Sequence, residues 1–503
     1  MHDKIFGILN LSSRTITTDS KGNIFKKFTP LIPGMKPFSV KTKKTTLTDI
    51  YVIASFKNAI VLEYYENLDL KDLPMIFAKS NWTNCFKNNI IPTIIENDFT
   101  PDRIDLTHLM AYTIDPEGSE DRDDAISYDL NNNKLYIHIA DPTSYIEFQS
   151  DIDNELKNRC ETIYLDKVQH MLPPPLSTEI ISLTEGKKNR AFTLECELSD
   201  YFLVMKYKFY KSYISVKNLT YDEADIIIKN KENKQLEKLY EIGKNFKISK
   251  DYDIHKMVEY YMVLCNQYVA EELQNIPSII RYNNSKQIYN HTFNDTFKNI
   301  SNKILDLHMN CKNDAASYEV NTTHTGHTIL DLEHYTHFTS PLRRYTDMVL
   351  HRILYNFISN KNTIYNEEKL KNICSNTNQV KSIYKYCYNL NNLNKIMNGQ
   401  IQKNLDSVLV YFENDFIKLY NEEYNLVISI SLIHPTIKKS TIITNNNFYE
   451  NNSYELLIET KNYNNNEIIK LKLFQNIKIK IYSFKLSNRL FQYELIEPEL
   501  NLI

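Results

Sequence analysis

Residues 112–127 read YTIDPEGSEDRDDAIS and place four aspartates within ten positions of one another. Strand-forming residues on both sides predict a loop between two strands, with Asp115 closing the first strand and Asp123 and Asp124 opening the second. A loop can fold back so that its carboxylates converge, whereas a regular helix or strand would scatter them. Converging carboxylates repel one another unless cations lie between them, so the pattern indicates a site for a hard cation, chiefly Mg²⁺. Its candidate ligands are Asp115, Asp121, Asp123 and Asp124.

Two other structures would give a similar acidic loop. The first is a solvated surface loop that binds nothing, and the second is a calcium-binding loop. The calcium motif requires a glycine and a distal glutamate at fixed spacing, and this stretch does not match it. These residues alone do not exclude the solvated loop, which remains an alternative.

A second constellation lies at residues 335–352, which read YTHFTSPLRRYTDMVLHR. Thr339 or Ser340 is predicted to cap a helix whose first position is Pro341, so Arg343 and Arg344 would fall in its first turn. Cations are disfavoured at that end of a helix dipole. Two arginines at this position therefore indicate a binding site for an anion, such as a phosphate, which the guanidinium groups and the free backbone N–H groups would stabilise.

The alternative is that both arginines pair with nearby carboxylates, namely Asp331, Glu333 or Asp347. The same region holds five histidines, at positions 324, 327, 334, 337 and 351. No cysteine completes a zinc-finger pattern and no HExxH motif occurs, so these histidines are predicted to be structural.

Length and composition restrict the class of protein. A chain of 503 residues predicts about three domains. No apolar run reaches the roughly 18–20 residues of a membrane span, and no signal peptide is predicted at the first residues. Seven scattered cysteines without a CxxC pair indicate a reducing compartment, so an intracellular location in the cytoplasm is predicted. The net charge is only −3, so a polyanionic partner would have to bind at a local patch or channel of positive charge.

Hydrophobic periodicity divides the chain into three regions and predicts an α+β protein. Residues 1–95 are β-rich, with strand-like runs at 5–11, 38–40, 50–56 and 58–63. Residues 96–400 are mixed and open with hairpin-like strands near 112–114, 125–130 and 135–139, the last two joined by an Asn-rich turn at 131–134. Helices are predicted over 252–273 and 342–358, and the polar stretch 359–380 is predicted to hold a flexible loop. Residues 401–503 return to β character, with strands near 407–412, 425–432, 454–459 and 477–484.

These motifs together resemble the ribonuclease II family, whose RNB catalytic domain also occurs in ribonuclease R. The resemblance covers about residues 100–400 and rests on ordered signatures along the chain. They are RIDLT at 103–107, IDP at 114–116 with DRDD at 121–124, HIADPT at 138–143, TIYL at 162–165 with MLP at 171–173, and residues 335–344 running on to His351 and Arg352. The resemblance implies a mixed α/β catalytic domain (96–400) between a cold-shock-like barrel (1–95) and a degenerate S1-like barrel (401–503).

By this resemblance the chain is a hydrolytic 3′→5′ exoribonuclease that releases nucleoside 5′-monophosphates from single-stranded RNA. It implies Mg²⁺ as the cofactor, with Mn²⁺ as a substitute, and a water activated by the metal. Asp115 and Asp124 correspond to direct ligands and Asp121 to a supporting one. Asp123 corresponds to the carboxylate on which turnover depends.

The resemblance also assigns contacts to RNA. Arg343 corresponds to the residue that contacts the reacting phosphate and stabilises its charge, and Arg344 is a further contact. Tyr164 corresponds to a base-stacking residue near the 3′ end. Tyr221 corresponds to a tyrosine near the ribose of the nucleotide, and Glu259 to an acidic contact.

The chain departs from the family pattern before residue 266. The family carries two consecutive acidic residues where this chain has Glu259 followed by Tyr260. Residues 240–256 form a shorter segment than usual, without an evident aromatic partner for Tyr164. Substrate binding and the discrimination between RNA and DNA are therefore predicted less firmly than the metal site.

Two further hypotheses remain beside the exoribonuclease. One is a catalytically weak RNA-binding protein that keeps the RNB fold, and the other is a nuclease for DNA. The expected partner is single-stranded RNA with a free 3′ end, with no membrane and no indicated protein partner; a monomer is expected.

Overall fold

The computed structural model describes residues 4–13, 17–30, 35–44, 46, 48–65, 102–164, 168–246, 252–283, 301, 303–304, 307–308, 316–397, 404–413, 415–424, 426–432, 437–444, 454–460, 468–485, 490–497 and 500–502. Parts of the sequence predictions lie outside these residues: positions 66–101 of the first two predicted domains and 247–251 of the shortened segment. The chain forms two compact units, one of Met1–Phe77, Asn284–Ala315 and Ile383–Ile503, the other of Ala78–Asn283 and Ala316–Ser382. The predicted division into three domains stays a prediction.

The first unit is built mainly from antiparallel strands, and β4 pairs with β6 in parallel. Its amino-terminal sheet has the order β1-β5-β6-β4-β3-β2, and β1 also pairs with β3, so five strands form a closed ring of pairings. Its carboxy-terminal strands form a six-stranded sheet, β16-β15-β14-β20-β21-β22, and a three-stranded sheet, β17-β18-β19. The strands are β1 (Lys4–Leu9), β2 (Thr17–Thr18), β3 (Ile24–Pro30), β4 (Phe38–Lys41), β5 (Ile50–Ser55), β6 (Ile60–Tyr65), β14 (Asn404–Phe412), β15 (Phe416–Asn421), β16 (Leu426–Ser431), β17 (Ile437–Thr444), β18 (Tyr454–Thr460), β19 (Ile468–Lys472), β20 (Asn476–Lys485), β21 (Leu490–Glu497) and β22 (Leu500–Leu502).

The second unit is centred on a closed barrel with the order β10-β11-β7-β8-β9. Its strands are β7 (Ile104–Asp115), β8 (Asp124–Asp129), β9 (Lys134–Ala140), β10 (Asn189–Leu198) and β11 (Val204–Thr220), and a separate pair is formed by β12 (Ile279–Tyr282) and β13 (Ser317–Val320). β8 and β9 form the predicted hairpin, in which Asp124 pairs with Ile139 and Asp129 with Lys134. β11 pairs in parallel with β7 up to Thr220 and Asp115, so both strands end at the same edge of the barrel.

Helices pack on this barrel around one apolar core. They are α1 (Asp151–Arg159), α2 (Tyr221–Lys229), α3 (Lys234–Phe246), α4 (Ile254–Glu272), α5 (Tyr345–Ile358) and α6 (Glu367–Met397). Buried residues of α4 and α5, such as Met257, Tyr261 and Met348, join the same core as Ile137 and Phe192 of the barrel. The α+β class predicted from the sequence is therefore confirmed. No helix among the described residues has both the length and the apolarity to cross a membrane.

One local prediction is wrong and another holds only in part. The stretch 359–380 holds a loop only up to residue 366, because α6 starts at Glu367. Leu370, Ile373 and Cys374 are buried at helical spacing, and their burial stabilises the helix. The polar composition of the stretch gave no clear helical pattern. The helix predicted from residue 342 instead begins at Tyr345, and Arg344 is its N-cap.

Candidate active site

Every residue nominated as catalytic, metal-binding or RNA-binding lines one cavity of the second unit. Its volume is about 550 Å³. Its wall is formed by the acidic loop (residues 115–124), by Tyr164 and Tyr221, by one face of α4, and by the arginine segment (residues 335–344). The nominated lining residues are Asp115, Asp121, Asp123, Asp124, Tyr164, Tyr221, Glu259, Arg343 and Arg344.

The acidic loop is held from both ends and from its middle. β7 ends at Asp115 and β8 begins at Asp124, as predicted. Between them, Gly118 has a φ of +78°, which suits glycine, in a turn where the Ser119 N–H donates to the Pro116 carbonyl at 3.1 Å. Ser182 Oγ accepts from the Arg122 N–H at 3.1 Å and donates to the Glu120 carbonyl at 2.8 Å. The loop therefore has a fixed path.

Asp123 joins the acidic loop to the arginine segment. Its Oδ1 accepts a hydrogen bond of 2.8 Å from the backbone N–H of Leu342, and its Oδ2 lies 3.4 Å from Arg343 Nε. The carboxyl group is buried, and burial raises its pKa well above the usual value, although Arg343 and the Leu342 N–H oppose that rise. Two segments separated by 219 residues thus meet at one carboxylate.

The neighbouring carboxylates also resist ionisation. Burial raises the pKa of Asp115 to about 6, and burial together with the charge of Asp115 raises that of Asp124 to about 7. Asp115 Oδ2 is buried and has no hydrogen-bond partner among the described residues. A cation would stabilise all three ionised groups and use that oxygen.

This donor set fits a hard divalent cation. Mg²⁺ is usually bound by one or two carboxylates and completed by water and phosphate oxygens, not enclosed by protein ligands. Among the described residues, no group of three or more His, Cys, Asp or Glu side chains is already arranged to hold a metal ion. The carboxylates that line the cavity and could hold such an ion are Asp115, Asp121, Asp123 and Asp124.

The two arginines have different surroundings. Arg344 pairs with Asp347 through Nε at 2.9 Å and Nη2 at 2.7 Å, so the alternative of a local ion pair holds for Arg344. Asp347 also accepts the Ser340 N–H, which explains why the helix starts late: residues 340–344 form a turn around that carboxylate. Arg343 donates from Nη2 to Ser340 Oγ at 3.0 Å, and 43% of its side chain stays exposed. Arg343 is thus the more available of the two for an anion.

Tyr164 touches the acidic loop directly. Its hydroxyl donates a 3.0 Å hydrogen bond to Asp121 Oδ2. The side chain is 41% exposed, so solvent reaches part of it. Tyr164 therefore contacts the carboxylates of the acidic loop and is also partly exposed to solvent.

Tyr221 and Glu259 line the cavity from two helices. Tyr221 is the first residue of α2, whose capping box pairs Thr220 with Glu223. Burial and the charges of Asp124 and Asp115 raise the pKa of Tyr221 to about 12. Glu259 is exposed and forms a 2.7 Å ion pair with Lys256 on the same helix. Tyr260, the departure from the family pattern, is half-buried against the core.

Among the lining residues that sequence reasoning did not nominate for the site are Asn266, Tyr335 and His337, the last of which was predicted to be structural. Asn266 Oδ1 accepts the Phe338 N–H at 2.7 Å and its amide lies 3.3 Å from the Tyr335 hydroxyl, so it ties α4 to the arginine segment. His337 Nδ1 faces the Tyr318 hydroxyl at 2.9 Å. A buried amide on the apolar face of a predicted helix was the available signal for Asn266.

Comparison with known proteins agrees with this architecture. The model of the RNB domain family matches residues 103–251 and 243–360, which together span just over half of the chain. Among curated proteins, ribonuclease R of Aquifex aeolicus is 29% identical over 338 residues, covering 52% of this chain and 48% of that protein. The chain spans about half the length of the curated relatives it matches.

Two solved structures share the fold. Mycoplasma genitalium RNase R in complex with ribose-methylated single-stranded RNA superposes with a TM-score of 0.68 at 20% identity, over 99% of this chain and 90% of that one. Yeast Ssd1, described as a pseudonuclease, superposes with a TM-score of 0.65 at 16% identity, over 91% of this chain and 68% of that one. At these identities the likeness concerns the fold.

Proposed function

The chain belongs to the RNB domain family, and from this premise we propose that it is a metal-dependent 3′→5′ exoribonuclease. It would hydrolyse single-stranded RNA from the 3′ end and release nucleoside 5′-monophosphates. The observation that carries the proposal is the contact of Asp123 with both Leu342 and Arg343, since it unites the acidic loop and the arginine segment at one cavity.

The proposed roles combine the family resemblance with the contacts in the cavity. A bound Mg²⁺, held chiefly by Asp115 and Asp124, would supply charge to the reacting phosphate and activate the attacking water. Arg343 extends an exposed guanidinium beside Asp123 and is placed to bind a phosphate oxygen. Asp123 keeps that guanidinium in place and is itself fixed by the Leu342 N–H.

The substrate-binding part of the proposal rests on the aromatic residues. The exposed ring of Tyr164 offers a stacking surface that any base can use. Tyr221 presents its ring from the start of α2, on the side of Asp115 and Asp124. Glu259 contributes a carboxylate acceptor from α4, and its ion pair with Lys256 engages Oε2.

A single experiment tests direction, metal need and products together. The purified full chain is incubated with 5′-labelled single-stranded RNA in Mg²⁺, in Mn²⁺ and in EDTA, and the products are resolved by size. A ladder that shortens from the 3′ end only when metal is present supports the proposal. RNA that binds to the protein but stays intact in all conditions would favour the non-catalytic alternative. Yeast Ssd1, described as a pseudonuclease, shares the fold.

Tyr164 allows the stacking and hydrogen-bonding roles to be separated. Tyr164→Phe keeps the ring but removes the donor to Asp121. We expect unchanged RNA affinity and an approximately 3- to 10-fold weaker binding of Mn²⁺, measured by calorimetry, because Asp121 loses a hydrogen bond that orients it. Tyr164→Ala should also weaken RNA binding about 10-fold through the lost stacking. Equal metal affinity in the Phe variant and the wild type would contradict the orienting role.

A further inference from the structure

An aromatic pair lies at the edge of the cavity. The rings of Tyr221 and His255 are stacked, with centroids 3.7 Å apart and an interplanar angle of 22°. Tyr221 lines the cavity, whereas His255 is exposed. None of the roles described so far involves His255.

The position of His255 on α4 connects it to the site. Val258, Glu259, Met262, Val263 and Asn266 line the cavity and follow one face of that helix. His255 precedes Val258 by three positions, so it continues the same face by one turn toward the helix start. The histidine therefore belongs to the rim of this cavity and not to the far side of the helix.

The stack restrains the side chain of Tyr221. The backbone of Tyr221 is fixed by the capping box of α2, but a capping box does not fix the orientation of a ring. On one side of this ring lies His255, and its hydroxyl is near enough to Asp124 and Asp115 for their charges to act on it. An offset or parallel aromatic pair has a definite preferred geometry, so the histidine ring limits the orientations open to the tyrosine.

We propose that His255 is a positioning residue, which holds Tyr221 against the terminal nucleotide of the RNA through ring stacking. The inference rests on the proposed exoribonuclease function and adds a residue to it. Contacts elsewhere along the RNA would dominate its overall affinity. The loss of His255 is therefore expected to act on turnover more than on binding.

The chain offers a matched control. His324 stacks on Tyr282 with centroids 4.5 Å apart and an interplanar angle of 24°, and it is also exposed. Neither residue of that pair is among the residues that line the cavity. His324→Ala removes a similar stack from the same unit and should leave turnover unchanged.

The kinetic test compares five variants in Mg²⁺, including Tyr221→Ala alone and His324→Ala as the control. His255→Ala should lower kcat about 5- to 10-fold with KM unchanged, and His255→Phe should restore most of it, because a phenyl ring can also stack. In a Tyr221→Ala background, His255→Ala should have no further effect, since its partner is gone. Fully additive losses, or equal losses in His255→Ala and His324→Ala, would overturn the proposal.

An equilibrium test separates this inference from the proposed function. RNA with a 3′-terminal 2-aminopurine ribonucleotide is bound in EDTA, and its fluorescence reports the environment of the terminal base without turnover. His255→Ala should change that fluorescence while the affinity, measured by anisotropy, stays within about twofold. An unchanged signal would reject the role of His255. A wild-type protein that never shortens RNA would reject the exoribonuclease proposal, and the fluorescence would still decide the role of His255.

Discussion

Asp123→Asn should reduce RNA hydrolysis about a thousandfold or more while RNA is still bound. The substitution removes the negative charge that faces Arg343 and the cation site, and charge stabilisation at such a site is worth several kcal/mol. Asparagine keeps an oxygen that can accept the 2.8 Å hydrogen bond from Leu342, so the cavity should retain its shape. The measurement is single-turnover shortening of labelled RNA, with affinity determined separately by anisotropy.

Two further variants make this result interpretable. Asp123→Ala leaves the buried Leu342 N–H without its acceptor, and it should lower the free energy of unfolding by about 1–3 kcal/mol in addition to abolishing turnover. Glu117→Gln changes one charge in the same loop at an exposed position outside the cavity lining and should retain activity. Robust degradation by Asp123→Asn would remove Asp123 from the role proposed for it.

The sequence was sufficient for features whose causes are local. The hairpin of β8 and β9 was predicted because an Asn-rich turn separates two alternating strands. The positions of Asp115 and Asp124 at strand ends followed from the same pattern. The aspartates and arginines were nominated from the residue pattern, Tyr164, Tyr221 and Glu259 from the resemblance, and all nine line one cavity.

Other features depend on contacts between distant or non-periodic residues. The start of α5 was misplaced because Asp347 binds the Ser340 N–H and Arg344, which stabilises a turn where a capped helix was predicted. The bond from Leu342 to Asp123 spans 219 residues and has no local signature. α6 was missed because its buried positions are few among polar ones, and packing, not propensity, makes them helical.

Asp141→Asn should produce the largest loss of stability. Asp141 is fully buried between two cations, with Arg103 Nη2 at 2.7 Å from Oδ2 and Lys211 Nζ at 2.6 Å from Oδ1. These residues join β7 and β11 to the end of β9, and the Thr143 hydroxyl donates to the same carboxylate. Removal of the charge leaves two buried cations without it, so the free energy of unfolding should fall by about 3–5 kcal/mol. Urea denaturation followed by circular dichroism measures the change.

Related substitutions test whether Asp141 is the centre of this cluster. Lys211→Met leaves a neutral pair of Asp141 and Arg103, so it should destabilise the protein less than Asp141→Asn. Asp105→Asn removes a carboxylate from an ion pair of similar length, 2.7 Å to Lys188, but both partners are about half exposed, and solvent already screens that pair. Equal losses in Asp105→Asn and Asp141→Asn would contradict the importance of burial.

The pH dependence gives an independent check on the same cluster. Burial acts to raise the pKa of Asp141, but Lys211 and Arg103 outweigh it and hold the pKa well below its usual value. A carboxyl group with a lowered folded-state pKa stabilises the protein above its unfolded pKa of about 3.9, and that contribution is lost as the pH falls through the folded value. The difference in unfolding free energy between the wild type and Asp141→Asn should therefore stay constant from about pH 5 to 8 and shrink only in more acidic solution. A difference that already vanishes near neutral pH would show that the carboxylate is not held ionised by its two cations.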